Sequence, residues 1–212
     1  MMKQTRKTLG VLRSKSPLFT VIALVMMVNT GCGNPLMKEL LRSPVEDYSV
    51  PPEPPVYAVG DTGPAGGIIF FVDTTDAYPG FNYLEAAPTD LGTSTWAINT
   101  YATTSISGTL TTMGSGAANT ALIVGTAGTD APAAYACDDL SLNGYTDWFL
   151  PSQAELNEMY SNRVSIGGFG IGGYWTSSET NSSYAWNQSF SGGLQGSYSK
   201  NLTYSVRAVR AF

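Results

Sequence analysis

Glycine and small polar residues interrupt this chain so often that long helices are excluded from most of it. Glycine accounts for 23 of the 212 residues, and only 13% of the residues are charged. Because glycine, serine, threonine and asparagine favour turns and strand ends, this composition predicts short strands and many turns. The length is sufficient for one domain of ordinary size with appendages.

The first 31 residues have the layout of an export signal. Five basic residues precede an apolar run, Leu18 to Val28, which is too short to span a bilayer. Cys32 follows a Thr-Gly pair that resembles the lipobox of bacterial lipoproteins, with Asn29 where an aliphatic residue is typical. We expect residues 1–31 to be removed and Cys32 to carry lipid on a bacterial membrane, at the outer membrane or cell surface. Ordinary cleavage and an uncleaved anchor are the alternatives.

Proline dominates the segment that follows Cys32. Proline at this density keeps a chain extended at about 3.1 Å per residue. We therefore predict a tether over residues 32–56 and one domain over residues 57–212. The prolines that define the tether are Pro44, Pro51, Pro52, Pro54 and Pro55.

The charge inventory excludes several classes of function. The chain contains no histidine, which rules out Ser-His-Asp, Cys-His and zinc-His chemistry. Six basic and sixteen acidic residues follow Cys32, a balance of −10 that disfavours nucleic acid and other polyanions. We expect a protein that is not an enzyme. An enzyme would require several acids to converge in one deep pocket.

Apolar patterns predict both helices and strands in the domain. The clearest helix spans residues 152–162, where Ser152 and Glu155 form a capping box. Further short helices are expected at 115–124 and 133–140. The predicted strands are 68–73, 83–88, 148–150, 174–178, 185–190 and 204–212, the last three forming an antiparallel meander.

Five sequence blocks occur in a distinctive order along the domain. They are Gly60–Phe70, Asn143–Ser152, Glu155–Leu156, Tyr174–Ser178 and Val206–Arg210. Together they resemble the Lcl C-terminal domain family, typified by the C-terminal domain of a collagen-like adhesin. The resemblance implies a C-type-lectin-like α+β fold, distantly similar to formylglycine-generating enzymes, and a role in surface attachment.

The chain departs from these relatives in two respects. Formylglycine-generating enzymes use a pair of cysteines, whereas this domain has only Cys137, which we expect to be a buried and inert thiol. The adhesin is associated with sulfated glycans bound through a basic surface, and the acidic balance here argues against that ligand class.

An aromatic and amide cluster near the C-terminus is the candidate ligand-binding surface. Aromatic rings stack on sugars or peptides, while amides and carboxylates satisfy hydroxyl groups. The alternative is that the strand aromatics fill the core. The candidate contact residues are Trp175, Glu179, Asn181, Trp186, Asn187 and Gln188.

One loop resembles the beginning of an EF-hand. Its oxygen-bearing residues have calcium-ligand spacing around Gly144, but Leu150 stands where the bidentate glutamate would be. The alternative is a tight Asn-Gly turn in which Asp147 caps local amides. The candidate calcium ligands are Asp139, Ser141, Asn143, Tyr145 and Asp147. Calcium is the one cofactor that the sequence leaves open.

Two functional hypotheses follow from these observations. The first is a surface-exposed, adhesin-like module that binds an extracellular glycan or protein. The second is a structural envelope lipoprotein that assembles with itself or with neighbouring proteins, and the sequence leaves an oligomer open. In both hypotheses the lipid on Cys32 anchors the chain to a membrane.

Overall fold

A computed structural model describes residues 55–212 of the chain. The predicted export signal, the lipid on Cys32 and nearly all of the predicted tether lie outside these residues. The described part has short helices packed on two sheets, which confirms the α+β class. The helices are α1 (Gly116–Ala127), α2 (Pro132–Asp138), α3 (Gln153–Ser161) and α4 (Arg163–Ile166). The strands are β1 (Ile68–Val72), β2 (Tyr83–Ala86), β3 (Thr93–Thr95), β4 (Gly173–Asn181), β5 (Tyr184–Ser189), β6 (Gln195–Ser199), β7 (Thr203–Ser205) and β8 (Val209–Ala211).

The strands form one small sheet and one larger sheet. The three-stranded sheet has the order β1-β2-β8 and is antiparallel throughout. The five-stranded sheet has the order β3-β7-β4-β5-β6. It is antiparallel except between β4 and β7, which are parallel and pair at Tyr174 and Ser205. The chain therefore enters both sheets within its last ten residues.

Helix α3 begins where the sequence predicts it. The Ser152 Oγ accepts a hydrogen bond from the backbone N–H of Glu155 (3.3 Å), and the Glu155 carboxylate accepts one from the backbone N–H of Ser152 (2.7 Å). This capping box satisfies two amides that the first helical turn leaves free. Leu156 and Met159 are buried on the inner face of the helix.

Two buried clusters fill the domain. One contains three tryptophans, Trp96, Trp148 and Trp175, and it packs beneath helices α1 and α2. The other is built around Phe70, Leu84, Tyr174 and Leu156, between the small sheet and α3. Tyr174 and Trp175 are adjacent in β4 and enter different clusters, because successive strand side chains point to opposite faces.

The C-terminal segment differs from the predicted single strand. It forms β7 in the large sheet and β8 in the small one, and the intervening Arg207 is buried. Its guanidinium binds the Asp90 carboxylate (2.6 Å) and the carbonyls of Ala87 and Gly168 (both 2.8 Å). These distant partners break the strand. The antiparallel meander consists of β4, β5 and β6, and β6 takes the place that the sequence assigned to residues 204–212.

The segment 148–150 also differs from its predicted strand. It contributes a single bridge between Phe149 and Val209. Across residues 55–212 there is no helix of the length and apolarity that a membrane crossing requires.

Candidate functional site

The predicted aromatic and amide surface is divided between the two faces of β5. Trp186 and Gln188 project from one face, and Asn187 projects from the other, as strand alternation requires. Trp175 pairs with Asn187 across β4 and β5. The six candidates therefore do not form one surface.

Three of the predicted contact residues are buried in the domain. Trp175 and Gln188 have no exposed surface, and Asn187 is 3% exposed. The Trp175 Nε1 donates to the Ser94 carbonyl (2.9 Å), and the Gln188 Nε2 donates to the Asn157 Oδ1 (2.9 Å). We correct the prediction for these three residues, because their side chains pack inside and leave no surface for a ligand.

Glu179 is occupied by contacts within the domain. Its carboxylate forms an ion pair with Lys200, and it accepts hydrogen bonds from the Ser105 hydroxyl (2.7 Å) and the Ile106 N–H (2.9 Å). Lys200 is fully buried and its Nζ lies 4.7 Å from the centroid of the Trp96 ring. Glu179 thus neutralises a buried cation.

Asn181 and Trp186 remain at the surface. The Asn181 Oδ1 accepts hydrogen bonds from the N–H groups of Ser183 (2.9 Å) and Tyr184 (3.1 Å), which shapes the turn between β4 and β5. Trp186 is partly exposed, and Tyr184 is 44% exposed. Only this part of the predicted surface is open to a ligand.

The candidate calcium loop forms a tight turn. Asn143 and Gly144 have φ values of 51° and 85°, and Leu142 pairs with Tyr145 across the turn. The Asn143 Nδ2 donates to the Ala65 carbonyl (3.0 Å), and Asp147 binds Arg210 (2.5 Å). One of the five predicted ligands, Asp147, is therefore paired with a cation, and the amide of Asn143 is held by the Ala65 carbonyl. No cluster of three acidic or cysteine ligands occurs in the part of the chain from Pro55 onwards.

Three of the four basic residues of the domain are buried and neutralised inside it. Lys200, Arg207 and Arg210 are each at most 7% exposed, and each binds a carboxylate. The remaining basic residue of the domain, Arg163, packs over the Tyr160 ring at 4.1 Å. Residues 55–212 contain twelve acidic residues against these four. The solvent-facing charge of the domain is consequently negative.

Glu85 links residues 60–67, which we call the glycine loop, to the small sheet. This carboxylate is fully buried, accepts the N–H of Gly67 (3.1 Å), and binds the Arg210 guanidinium (3.0 Å). A Cβ on Gly63 would lie 2.4 Å from the Glu85 Oε2, and a Cβ on Gly67 would lie 2.5 Å from the Ala86 carbonyl oxygen. The glycines are needed because the backbone approaches the carboxylate and strand closely.

An open cleft of about 440 Å³ lies on the domain, and we call it the Tyr78 cleft. One wall is made by Tyr78 and Phe81, whose rings stack at 5.7 Å with 19° between their planes. Met113 and Ala117, before and at the start of α1, also line the cleft. The complete lining is Tyr78, Pro79, Gly80, Phe81, Leu84, Met113, Gly114, Ala117, Phe149, Glu155 and Ala211.

Asp73 organises the loop that carries the aromatic wall. Its carboxylate accepts hydrogen bonds from the N–H groups of Thr75 (3.0 Å) and Tyr78 (2.7 Å). Burial raises the pKa of Asp73, but the amides of Tyr78, Thr75 and Ala77 outweigh burial, so the pKa lies below its ordinary value. The ionised carboxylate therefore holds Tyr78 in position.

Glu155 lies in the lining of the Tyr78 cleft and holds the backbone before and at the start of α1. Besides capping α3, it accepts the N–H groups of Gly114 (2.9 Å) and Gly116 (3.2 Å). Burial raises the pKa of this carboxyl, against the opposing effect of these amides. Because Glu155 has no exposed surface, its role in the cleft is to fix the backbone of Gly114.

The sequence of the domain matches the profile of the Lcl C-terminal domain over residues 85–210. This range covers more than half of the chain, including all of α1 to α4 and β3 to β7. The chain belongs to the Lcl C-terminal domain family. The C-type-lectin-like relationship implied by the resemblance stays a prediction.

The domain is similar in structure to a part of a bacterial fimbrial protein. A fimbrial protein from Bacteroides ovatus is 19% identical to this Lcl C-terminal domain protein and superposes with a TM-score of 0.47. The match covers 69% of this chain and 44% of the fimbrial protein, so the chain spans less than half of that structure. No curated protein matches the sequence significantly.

The Lcl match begins after the aromatic wall of the Tyr78 cleft. Tyr78 and Phe81 precede residue 85, whereas Met113 and Ala117 lie inside the matched range. Sequence reasoning missed this site because its walls are far apart along the chain. The Tyr-Pro-Gly-Phe segment at residues 78–81 could have indicated the site, since a Pro-Gly turn places its two flanking aromatic residues near the surface.

Cys137 is the buried thiol that the sequence predicts. It is fully buried in the tryptophan cluster of the Lcl C-terminal domain. Burial, together with the neighbouring Asp138 charge, raises the pKa of the thiol. A thiol in this state is a poor nucleophile.

Proposed function

We propose that this Lcl C-terminal domain is a non-catalytic recognition domain, displayed outside a bacterial cell by lipid on Cys32. It binds an uncharged, apolar segment of a partner protein in the Tyr78 cleft. The observation that carries the proposal is an open cleft with an aromatic wall on a surface whose exposed charge is negative. The family membership supports an adhesin-like role at the surface.

The lining of the Tyr78 cleft favours a peptide over a carbohydrate. Tyr78, Phe81 and Met113 are partly exposed and offer apolar contacts, and the buried Glu155 carboxylate is already bonded to three amides. A sugar needs several hydrogen-bond partners around its ring, whereas an apolar side chain needs only a shaped apolar site. Met113 adds an adaptable wall, because methionine repacks around different side chains.

The acidic surface supports a partner without negative charge. The three cations buried within the domain are neutralised there, so they cannot bind sulfate or phosphate groups. A non-catalytic role is supported by the burial of both Cys137 and Glu155, the side chains best suited to covalent or acid–base chemistry.

The test uses a variant that fills the Tyr78 cleft without removing any core contact. Ala117 is exposed and lines the cleft, and the next residue, Ala118, is exposed on the same helix but lies outside the lining. Ala117→Trp should block the cleft. Ala118→Trp is the matched control.

A phage-displayed heptapeptide library would be selected on the full chain in detergent, with a neutral glycan array probed in parallel. We expect enriched peptides with a shared apolar residue whose binding is lost in Ala117→Trp and kept in Ala118→Trp. Equal loss in both variants, or no enrichment, contradicts the proposal. If a glycan binds and only Ala117→Trp abolishes that binding, the Tyr78 cleft is the binding site but its ligand is a carbohydrate, not a peptide.

A further inference from the structure

Strand β6 forms an edge of the five-stranded sheet. Among residues 55–212 it pairs only with β5. The Ser189 N–H bonds the Leu194 carbonyl, and the Lys200 N–H bonds the Ser183 carbonyl. In an antiparallel ladder, alternate residues point their backbone groups to the same side. Leu194, Gly196, Tyr198 and Lys200 thus face β5, while the N–H and C=O groups of Gln195, Ser197 and Ser199 point away from it.

The stretch of sequence that contains β6 has almost no charged residues. Between Glu179 and Arg207 the only charged residue is Lys200, which is buried and paired with Glu179. Leu194 is 79% exposed and Tyr198 is 42% exposed beside the edge. Strand edges that avoid pairing usually carry lysine, glutamate or proline, and β6 has none of these. The edge is therefore open to another strand.

We propose that β6 pairs antiparallel with β6 of a second copy of this chain, about a two-fold axis at Ser197. The sequence of β6 is self-complementary in this register. Gln195 faces Ser199 of the second copy, and Gly196 faces Tyr198 of the second copy. An aromatic ring opposite a glycine covers the gap that the missing side chain leaves. Within one copy the Tyr198 ring already lies over Gly196, where a Cβ would be 2.7 Å from its Cε2.

Charge also favours a second copy at this edge. Two domains that each carry twelve acidic and four basic residues repel each other over most of their surfaces. The β6 edge carries no charged side chain, so an approach along it brings few like charges together. A five-residue ladder gives low affinity in dilute solution, whereas two copies held on one membrane meet at high effective concentration. The pairing is thus expected on the cell rather than in solution.

The test is disulfide trapping of the full chain in cells that export it. In this register the two Ser197 Cα atoms lie about 5.5 Å apart, within disulfide range. The two Ser199 Cα atoms are offset by four residues, or about 13 Å, and cannot be bridged. Cys137 is buried and does not interfere.

Ser197→Cys should form a disulfide-linked dimer on mild oxidation, which a reducing agent converts to monomer. Ser199→Cys, two residues along the same edge, and Ser161→Cys, on the exposed surface of α3, should stay monomeric. The proposal is overturned if Ser197→Cys stays monomeric, if Ser199→Cys dimerises equally well, or if Ser197→Cys links to a different protein. Because β6 does not line the Tyr78 cleft, failure here leaves the proposed ligand site intact.

Discussion

Glu85 and Arg210 face each other across β2 and β8 and form an ion pair of 3.0 Å between Oε1 and Nη1. Glu85 is fully buried, and Arg210 is 7% exposed. The same carboxylate accepts the Gly67 amide, so one side chain joins the glycine loop, β2 and β8. Both residues lie in the matched family range, and their role is to hold the fold together.

Glu85→Gln should destabilise the domain by about 1–3 kcal/mol, because Arg210 then keeps only Asp147 as a carboxylate partner and is held more weakly on its buried side. Glutamine also turns one acceptor oxygen into a donor facing the Gly67 amide. Urea unfolding followed by tryptophan fluorescence measures the change. Asp138→Asn, at an exposed carboxylate, is the control and should stay within about 0.5 kcal/mol of wild type. Equal effects of the two variants would contradict the assignment.

The Lys200–Glu179 pair should show strong coupling in a double-mutant cycle. Lys200→Met leaves Glu179 without its cation and should cost about 3–5 kcal/mol. Adding Glu179→Gln to that variant removes the uncompensated charge and should recover part of the loss. Denaturant unfolding of the four proteins gives the coupling. Additive effects would show that the two side chains act independently.

Acid should loosen the aromatic wall of the Tyr78 cleft. The pKa of Asp73 is lower in the folded state than its ordinary value of 3.8. The stability that this carboxylate contributes is therefore present above that value, and it is lost as the pH falls through the lower folded value. Asp73→Asn should flatten this part of the curve of melting temperature against pH. An unchanged curve would mean that the loop does not depend on the ionised carboxylate.

Lipid attachment is expected at Cys32. Cells fed an alkyne-tagged fatty acid should incorporate the tag into the wild-type chain and into Cys137→Ser, but not into Cys32→Ala. Replacing Asn29 by leucine restores the aliphatic residue typical of a lipobox and should raise the tagged fraction. A tag that survives Cys32→Ala would place the lipid elsewhere.

Calcium should leave the melting temperature unchanged relative to EDTA. Asp147 is paired with Arg210, and Leu150 stands where an EF-hand has its bidentate glutamate, so the loop lacks a complete set of oxygen ligands. A ligand that binds the folded state would raise the melting temperature by mass action. A melting temperature that rises with calcium in the wild type but not in Asp139→Asn would contradict this prediction and show that the loop binds calcium.

Local sequence signals predicted the elements that depend on near neighbours. The capping box of Ser152 and Glu155 positions α3 through contacts three residues apart, and the predicted helix at 115–124 corresponds to α1. The strands at 68–73 and 83–88 likewise appear as β1 and β2. The family resemblance, which used only the order of motifs, was also confirmed.

Long-range contacts determined what the sequence could not predict. Arg207 breaks the C-terminal strand through Asp90, which lies 117 residues earlier, and Glu179 is paired with Lys200 in the turn between β6 and β7. The face on which Asn187 points depends on strand register, which composition does not reveal. The Tyr78 cleft likewise exists only after the segments around residues 78–81 and 113–117 meet.

The placement of β7 and β8 sets the order in which this domain can be completed. β7 pairs with β3, which begins at Thr93, and β8 pairs with β2, which begins at Tyr83. Neither sheet can close until the last ten residues of the chain are available, and such distant pairings are slow to form. A chain made from its N-terminus thus stays incompletely folded until residues 203–211 are available. Removing only β8 would leave β2 with an unpaired edge and Glu85 without Arg210.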